Sequence, residues 1–416
     1  MFASLFAYQI LGALVGGVWA FLLCALGRRL RGRRIGFDWA DLLLAAVLQV
    51  PAGLAVVVLA HELFRRGVLG SQPFFLVIDL VFWAAFLWLP LGGLRFALSR
   101  RSLPGSSMLP PVPLLARLLL GLFSLVAPSL GFYAWFVEPS TVVVSRHDLE
   151  VPGLAPVTRE RPLRILHLSD LQTSYLGSRE LKVNELGQEL EPDLILFSGD
   201  LTTRTLWGDA PERSADAVLS RLSAPFGFFG IAGDSETPEK AKEILERNEH
   251  VLLRNERRTL NIRGQTVVII GLDRASPDFS LLDEKVPEGA LSILLAHSPD
   301  VVLDLGWDPE TSTLRRPATA PPLPHLILTG HTHGGQIVLP FVGAPVTLTR
   351  LGRRYASGLF DLKGPLLHVS RGLGMEGHFA PRIRFLCPPE VTLFTVRAAA
   401  GKSVAEEETV FTRPGG

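Results

Sequence analysis

Five short strings in the second half of the chain carry side chains able to hold metal ions. They are Ser169-Asp170-Leu171-Gln172, Ser198-Gly199-Asp200, Gly233-Asp234-Ser235-Glu236, Ala296-His297-Ser298-Pro299-Asp300 and Gly330-His331-Thr332-His333-Gly334-Gly335-Gln336. Mixed carboxylate and imidazole donors suit Mn, Fe or Zn, and nothing in the strings chooses among the three. Taken singly, each string has an ordinary use: Asp170 or Asp200 after a strand serves as a turn or helix cap, and His297 as a hydrogen-bonded core residue. His331 and His333 are more specific, because imidazoles at i and i+2 face the same side of an extended segment. Five such strings in one order make coincidence a poor explanation.

The elements that must position these residues begin at Pro162, where short apolar runs start to alternate with polar helical stretches, as in an α/β sandwich. Strands are expected at Arg164 to Leu168, Leu194 to Phe197, Phe228 to Ile231, Thr266 to Ile270 and Ser292 to Leu295, and an amphipathic helix at Ser178 to Leu190. Thr237 followed by Pro238 reads as a helix start, a capping hydroxyl with proline at the first helical position. The strings follow strand ends, where open α/β sheets place their ligands. His167 falls within a strand and is read as structural.

This order of strings, with GHTHGGQ as its most specific piece, resembles the calcineurin-like metallophosphoesterase superfamily, in particular its membrane-associated bacterial branch. The resemblance covers Leu163 to Val396, including Tyr355 onward through SRGLGMEG and CPPEVTLFTV. It implies an αββα sandwich with two divalent metal ions between the strand ends. It also implies roles: Asp170 and His333 on the first metal, Asp200 bridging both, His297 and His331 on the second. Two such cations about 3.5 to 4 Å apart clamp a phosphoryl group and lower the pKa of a bridging water.

Three positions depart from the family pattern. Gln172 stands where the family has histidine, and its amide oxygen is a weaker donor. Asp234 replaces asparagine as a ligand and adds a negative charge. Ser235 replaces the histidine thought to protonate the leaving group. A general acid is typically worth about 10² to 10⁴ in rate, so slow turnover, or a taste for good leaving groups such as pyrophosphates, is expected. Arg371 is a candidate for a bidentate contact to substrate phosphate, and His378 is read as structural. The stretch from Asp308 to Pro324, with five prolines, falls between two ligand strings and is expected to act as a lid.

The first third is different in kind. Uncharged or nearly uncharged runs at about 5–26, 42–60, 74–94 and 118–137 are long enough for a hydrocarbon core of roughly 30 Å, giving four transmembrane helices. Asp79, the one charge within the third run, sits near its start, where the interface can solvate it. The first and third connections carry nine arginines (Arg28, Arg29, Arg31, Arg33, Arg34, Arg95, Arg100, Arg101 and Arg117), against Arg65, Arg66 and Arg146 on the other side. The positive-inside rule therefore puts the C-terminal domain outside the cytoplasmic membrane. The expected layout is a membrane domain at 1–137, a linker at 138–161, the metallophosphoesterase domain at 162–398 and a disordered tail at 399–416.

Composition agrees with two units. The 416 residues exceed one average domain, and a mean hydropathy of +0.30 with 19% charged residues reflects the apolar first third. With 41 Lys+Arg against 40 Asp+Glu, no global field recruits nucleic acid. Two cysteines, Cys24 and Cys387, exclude a disulfide framework. The expected function is hydrolysis of a phosphoester or pyrophosphate, on a small molecule or a lipid. The alternative is a metal-binding or sensing pseudoenzyme of the same fold.

Overall fold

The computed structural model describes residues 114–399 apart from 174–175, 204–209, 318–319 and 377–381. The chain divides into two compact units, one formed by 1–141 with 375–387, the other by 142–374 with 388–416. The tail expected at 399–416 lies outside the described residues except for Ala399, as do His378, Asp79 and the three spans at 5–26, 42–60 and 74–94.

In the first unit, helix α1 (Leu114–Phe132) covers most of the fourth expected span. It continues as a π-helical turn at Tyr133–Val137 and a 3-10 turn at Glu138–Ser140. Leu115, Leu119, Leu122, Leu125 and Leu130 are all exposed. Among the described residues no helix is long and apolar enough to cross a membrane; at 19 residues, α1 spans about 28 Å against a core of roughly 30 Å. The segment 382–387 is tied to this element: Arg384 N donates to the Ala134 carbonyl at 2.9 Å. The buried Glu138 carboxylate accepts from the amides of Leu386 and Cys387.

The second unit is a two-sheet sandwich. Its strands are β1 (Val143–Val151), β2 (Leu163–Leu168), β3 (Leu194–Phe197), β4 (Phe228–Gly230), β5 (Val251–Leu252), β6 (Glu256–Ile262), β7 (Gln265–Gly271) and β8 (Leu291–Leu295). They continue with β9 (Trp307–Asp308), β10 (Thr313–Leu314), β11 (Leu326–Thr329), β12 (Gly358–Asp361), β13 (Leu366–Val369) and β14 (Glu390–Ala398). One six-stranded sheet has the order β1-β14-β2-β3-β4-β5, the other β12-β13-β11-β8-β7-β6. β2 through β5 are parallel, as are β7, β8, β11 and β13.

Alternation along these strands explains their almost unbroken apolar composition, since parallel strands buried on both faces have no solvent side. Leu194 and Leu196 of β3 meet Ile269, Ile293 and Leu328 of the opposite sheet. Ile195 and Phe197 turn the other way, toward α2 (Ser178–Glu189), α3 (Ala210–Leu219) and α4 (Pro238–Arg247). Thr237 caps α4, its hydroxyl accepting from Lys240 N at 3.3 Å. The far face of the second sheet is covered by short helical turns and loops carrying Val302, Trp307 and Tyr355. The second outer layer of the expected αββα sandwich is thus thinner than the first.

One further expectation is corrected. The stretch 138–161 is not a free linker: β1 within it pairs in parallel with β14 over nine residues. The region 308–324 begins with an antiparallel hairpin, β9 against β10. Arg371, expected at a substrate phosphate, is engaged within the protein. Its Nε and Nη2 reach the two Glu390 carboxylate oxygens at 3.2 and 3.1 Å, and its amide donates to Oε2 at 3.0 Å. The bidentate partner expected of a substrate phosphate is supplied by the protein.

Burial raises the Glu390 carboxyl, but the Arg371 guanidinium outweighs it and holds the group down at about 2, from 4.5. A depressed carboxylate stabilises the fold above its unfolded pKa and loses that contribution as pH falls toward the folded value. Glu390→Gln should therefore be less stable than wild type by about 2 kcal/mol at pH 7. Denaturant unfolding of both proteins should show this gap narrowing from pH 5 to pH 2, and a gap independent of pH would refute the ion-pair account.

Candidate metal centre

Ligand residues follow the carboxyl ends of parallel strands from both sheets: Asp170 and Gln172 after β2, Asp200 after β3, Asp234 after β4, His297 after β8, and His331 and His333 after β11. Asp170, Gln172, Asp200, His331 and His333 all have positive φ, between 33° and 69°. Such backbone is costly for residues with a Cβ and persists where the surroundings impose it. The neighbouring glycines are required by close approach. A Cβ on Gly330 would lie 1.8 Å from Ser169 Oγ and 2.1 Å from Asp170 Oδ2, and one on Gly233 would lie 2.0 Å from Asp200 Oδ1.

Asp170 and Asp200 are both fully buried. Burial first, and the Asp200 charge second, push the Asp170 carboxyl well above its ordinary value, against the pull of the Ser169 hydroxyl and the His331 amide. Asp200 Oδ1 accepts from the amides of Asp234 and Ser235, and Oδ2 from Gln172 Nε2 at 2.7 Å. Gln172 thus holds Asp200 by an N–H, and its buried Oε1, which accepts no hydrogen bond among the described residues, is the atom that could face a cation.

His297 is set as a ligand. Its Nδ1 donates to the Ser198 carbonyl at 2.8 Å, which leaves the lone pair on Nε2. That buried Nε2 has no hydrogen-bond partner among the described residues, yet lies 3.5 Å from Asp200 Oδ1 and 3.7 Å from Asp234 Oδ2. Donor atoms this far apart, without a bond between them, match two ligands each about 2.0 to 2.2 Å from one cation. The donors of Asp170, Asp200 and His297 lie within 4.8 Å of one another, and so do those of Asp234, His297 and His331. His333 Nε2 is 3.5 Å from Asp170 Oδ1. The donor set fits divalent cations.

Asp234 contributes real charge. Burial works to raise its carboxyl, but His331, His297 and Arg274 outweigh it and the group stays well below the usual range. Its Oδ2 is 3.1 Å from His331 Nδ1, and its Oδ1 is 3.1 Å from Arg274 Nε. Ser235 Oγ lies 3.3 Å from Glu236 Oε2, so position 235 presents no imidazole.

Sequence reasoning missed three contributors. Glu236 ties the β3 and β4 loops together, accepting from the amides of Leu201, Thr202 and Gly233; burial and the Asp200 charge raise it to about 7. Arg274 follows β7 with no motif to announce it. The third is a buried chain behind Asp170. Ser169 donates to Asp170 Oδ2, so it must accept from Ser198 Oγ at 2.7 Å, and Ser198 in turn accepts from His167 Nε2 at 2.9 Å. That leaves His167 Nδ1 to accept from His368 Nδ1 at 3.0 Å. The terminal carboxylate therefore fixes both tautomers. Burial keeps both rings neutral, His167 well below its ordinary pKa and His368 at about 4.

The calcineurin-like phosphoesterase family model matches residues 163–335, a span holding all seven candidate ligands. An uncharacterised metallophosphoesterase of Bacillus subtilis, YkuE, is 31% identical over 64% of this chain and 89% of its own. The phosphodiesterase YaeI of Escherichia coli is 29% identical over 64% of this chain and 93% of its own. The UDP-2,3-diacylglucosamine pyrophosphatase LpxG of Chlamydia trachomatis is 26% identical over 65% and 94%. With a sandwich whose strand ends gather these carboxylates and imidazoles, the chain belongs to the calcineurin-like phosphoesterase family and is a metallophosphoesterase.

Proposed function

We propose that this chain is a membrane-anchored hydrolase of phosphoester or pyrophosphate bonds, with two divalent cations (Mn, Fe or Zn) in a variant centre and a lipid-linked substrate. The observation that carries the catalytic part is the His297 imidazole, oriented by Ser198 and aimed without a hydrogen bond at Asp200 and Asp234. In this reading Asp170 and His333 hold one cation, Asp234, His297 and His331 the other, and Asp200 both. When bound, the cations supply a hydroxide at neutral pH and positive charge for the phosphoryl oxygens. The chain's residues aim the ligands, through the Ser198 carbonyl on His297 and the amides on Asp170 and Asp200. Asp234 adds charge where Gln172 brings none.

The similarity to YaeI, a phosphodiesterase, and to LpxG, a UDP-2,3-diacylglucosamine pyrophosphatase, supports the substrate class. Membrane anchoring is supported by the four apolar runs and by the exposed leucines of α1. The arginine asymmetry supports placing the domain outside the cytoplasm. A reporter that works only when exported, fused after Val396, should then be active. Activity there of a cytoplasm-dependent reporter would overturn the orientation.

Asp200→Asn and His331→Ala should each lower bound metal by at least tenfold. His250→Gln, remote from the centre where its ring stacks on Phe228, should leave it unchanged. Metal analysis of the purified proteins decides this, and equal occupancy in all three would refute the ligand assignment.

Ser235→His should raise the rate on poor leaving groups more than on activated esters, by up to about 10². A uniform change across leaving groups would show that position 235 does not serve proton transfer.

A further inference from the structure

The loop after β7 is unusually well pinned. Asp273 N donates to Asn255 Oδ1 at 2.9 Å, and the Asp273 carboxylate accepts from Arg254 Nε and from the amides of Ala275 and Ser276. Asn255 also accepts from Asp278 N at 3.0 Å and donates to the Ser276 carbonyl at 2.8 Å. This platform fixes Arg274, whose Nε lies 3.1 Å from Asp234 Oδ1 and whose side chain is 39% exposed. Its Nη groups have no partner among the described residues. Beside it opens a cleft of about 310 Å³, lined by Leu272, Phe279, Val301 and His297 and also by the carboxylates of Asp273, Asp300 and Asp304. Arg350 also lines that cleft, with Nε on Asp300 Oδ2 at 3.2 Å, the same one-point pairing that Arg274 makes with Asp234.

We propose that Arg274 and this cleft bind the departing phosphoryl group of a diphosphate substrate. The proposal rests on the phosphoesterase reading and narrows its substrate class. Two observations meet here: position 235 offers only a hydroxyl, too weak an acid to protonate a leaving group, and a guanidinium whose Nη groups are unengaged among the described residues stands against Asp234. An alkoxide, with a conjugate acid near the 15.7 of water, needs a proton in order to leave. A phosphate monoester, with a second pKa of about 6, does not. It leaves as an anion, which a guanidinium stabilises bidentately without transferring a proton.

The balance is simple. Water oxygen bonds to the phosphorus held at the metal centre. The bond from that phosphorus to the bridging oxygen breaks, and its electron pair stays on the bridging oxygen, now part of the second phosphate at Arg274. Two phosphate monoesters result, and at neutral pH the two water protons pass to solvent. The apolar wall at Phe279 and Val301 suits the uncharged moiety attached to that second phosphate.

The test uses the full chain in detergent, loaded with Mn²⁺, as wild type, Arg274→Gln, Arg274→Lys and the surface control Arg258→Gln. Rates are measured on UDP-glucose and on bis(4-nitrophenyl) phosphate, inorganic phosphate binding by calorimetry, and bound Mn²⁺ by elemental analysis. Arg274→Gln should lose about ten- to a hundredfold in kcat/KM on UDP-glucose. It should lose under threefold on the activated diester, and bind phosphate about tenfold more weakly with metal content unchanged. Arg274→Lys should recover part of the loss, and Arg258→Gln should match wild type. Equal losses on both substrates with falling metal content would mean that Arg274 only orients Asp234, and the proposal fails. If wild type hydrolyses neither substrate, the phosphoesterase reading fails by itself. Phosphate binding then still decides Arg274: a tenfold weaker affinity in Arg274→Gln supports the site, and an unchanged one overturns it.

Discussion

Asp170 and Asp200 sit fully buried where the ends of parallel strands from the two sheets meet. Like charges held together out of water are unfavourable unless a cation lies between them, and most of the surrounding architecture answers that constraint. Backbone amides of His331, Asp234 and Ser235 point at the two carboxylates. Ser169, fed by Ser198 and the neutral His167–His368 pair, delivers one more donor. These neutral donors hold the carboxylates in place but do not cancel their charge, and that is left to metal.

The same constraint gives meaning to the departures from the family pattern. Gln172 in place of an imidazole leaves the ligand charge unchanged, whereas Asp234 in place of an asparagine adds a negative charge. Arg274 then stands against Asp234 on the outer side, 3.1 Å away. A site with this extra carboxylate and a guanidinium beside it differs electrostatically from one that carries an imidazole at position 235.

The sandwich was legible because its strands are short, apolar on both faces and followed by polar strings; β3 runs Leu194–Phe197, as the pattern alone suggests. The candidate ligands stood out because His-X-His and Gly-Asp have few other uses in that order, and the fold brings the donors of Asp170, Asp200 and His297, and of Asp234, His297 and His331, within 4.8 Å of one another. Less was readable where partners are distant in sequence. Arg371 looked like a phosphate contact until Glu390 was seen to engage it from the start of β14. β1 looked like linker because an edge strand with alternating exposure carries a weak apolar signal. Arg274 carried no signal at all, since its importance comes from the loop that Asn255 and Arg254 hold from another strand end.

The first unit borrows 375–387 from the connection between β13 and β14. The two units are therefore interleaved along the chain rather than joined end to end. A single cut before β1 does not release a self-sufficient catalytic fragment. It strips the wholly buried Arg384 of the Ala134 carbonyl that its amide uses, and the amides of Leu386 and Cys387 of their acceptor at Glu138. A shortened version of this protein has to replace the acceptors at Ala134 and Glu138 that the 384–387 segment uses.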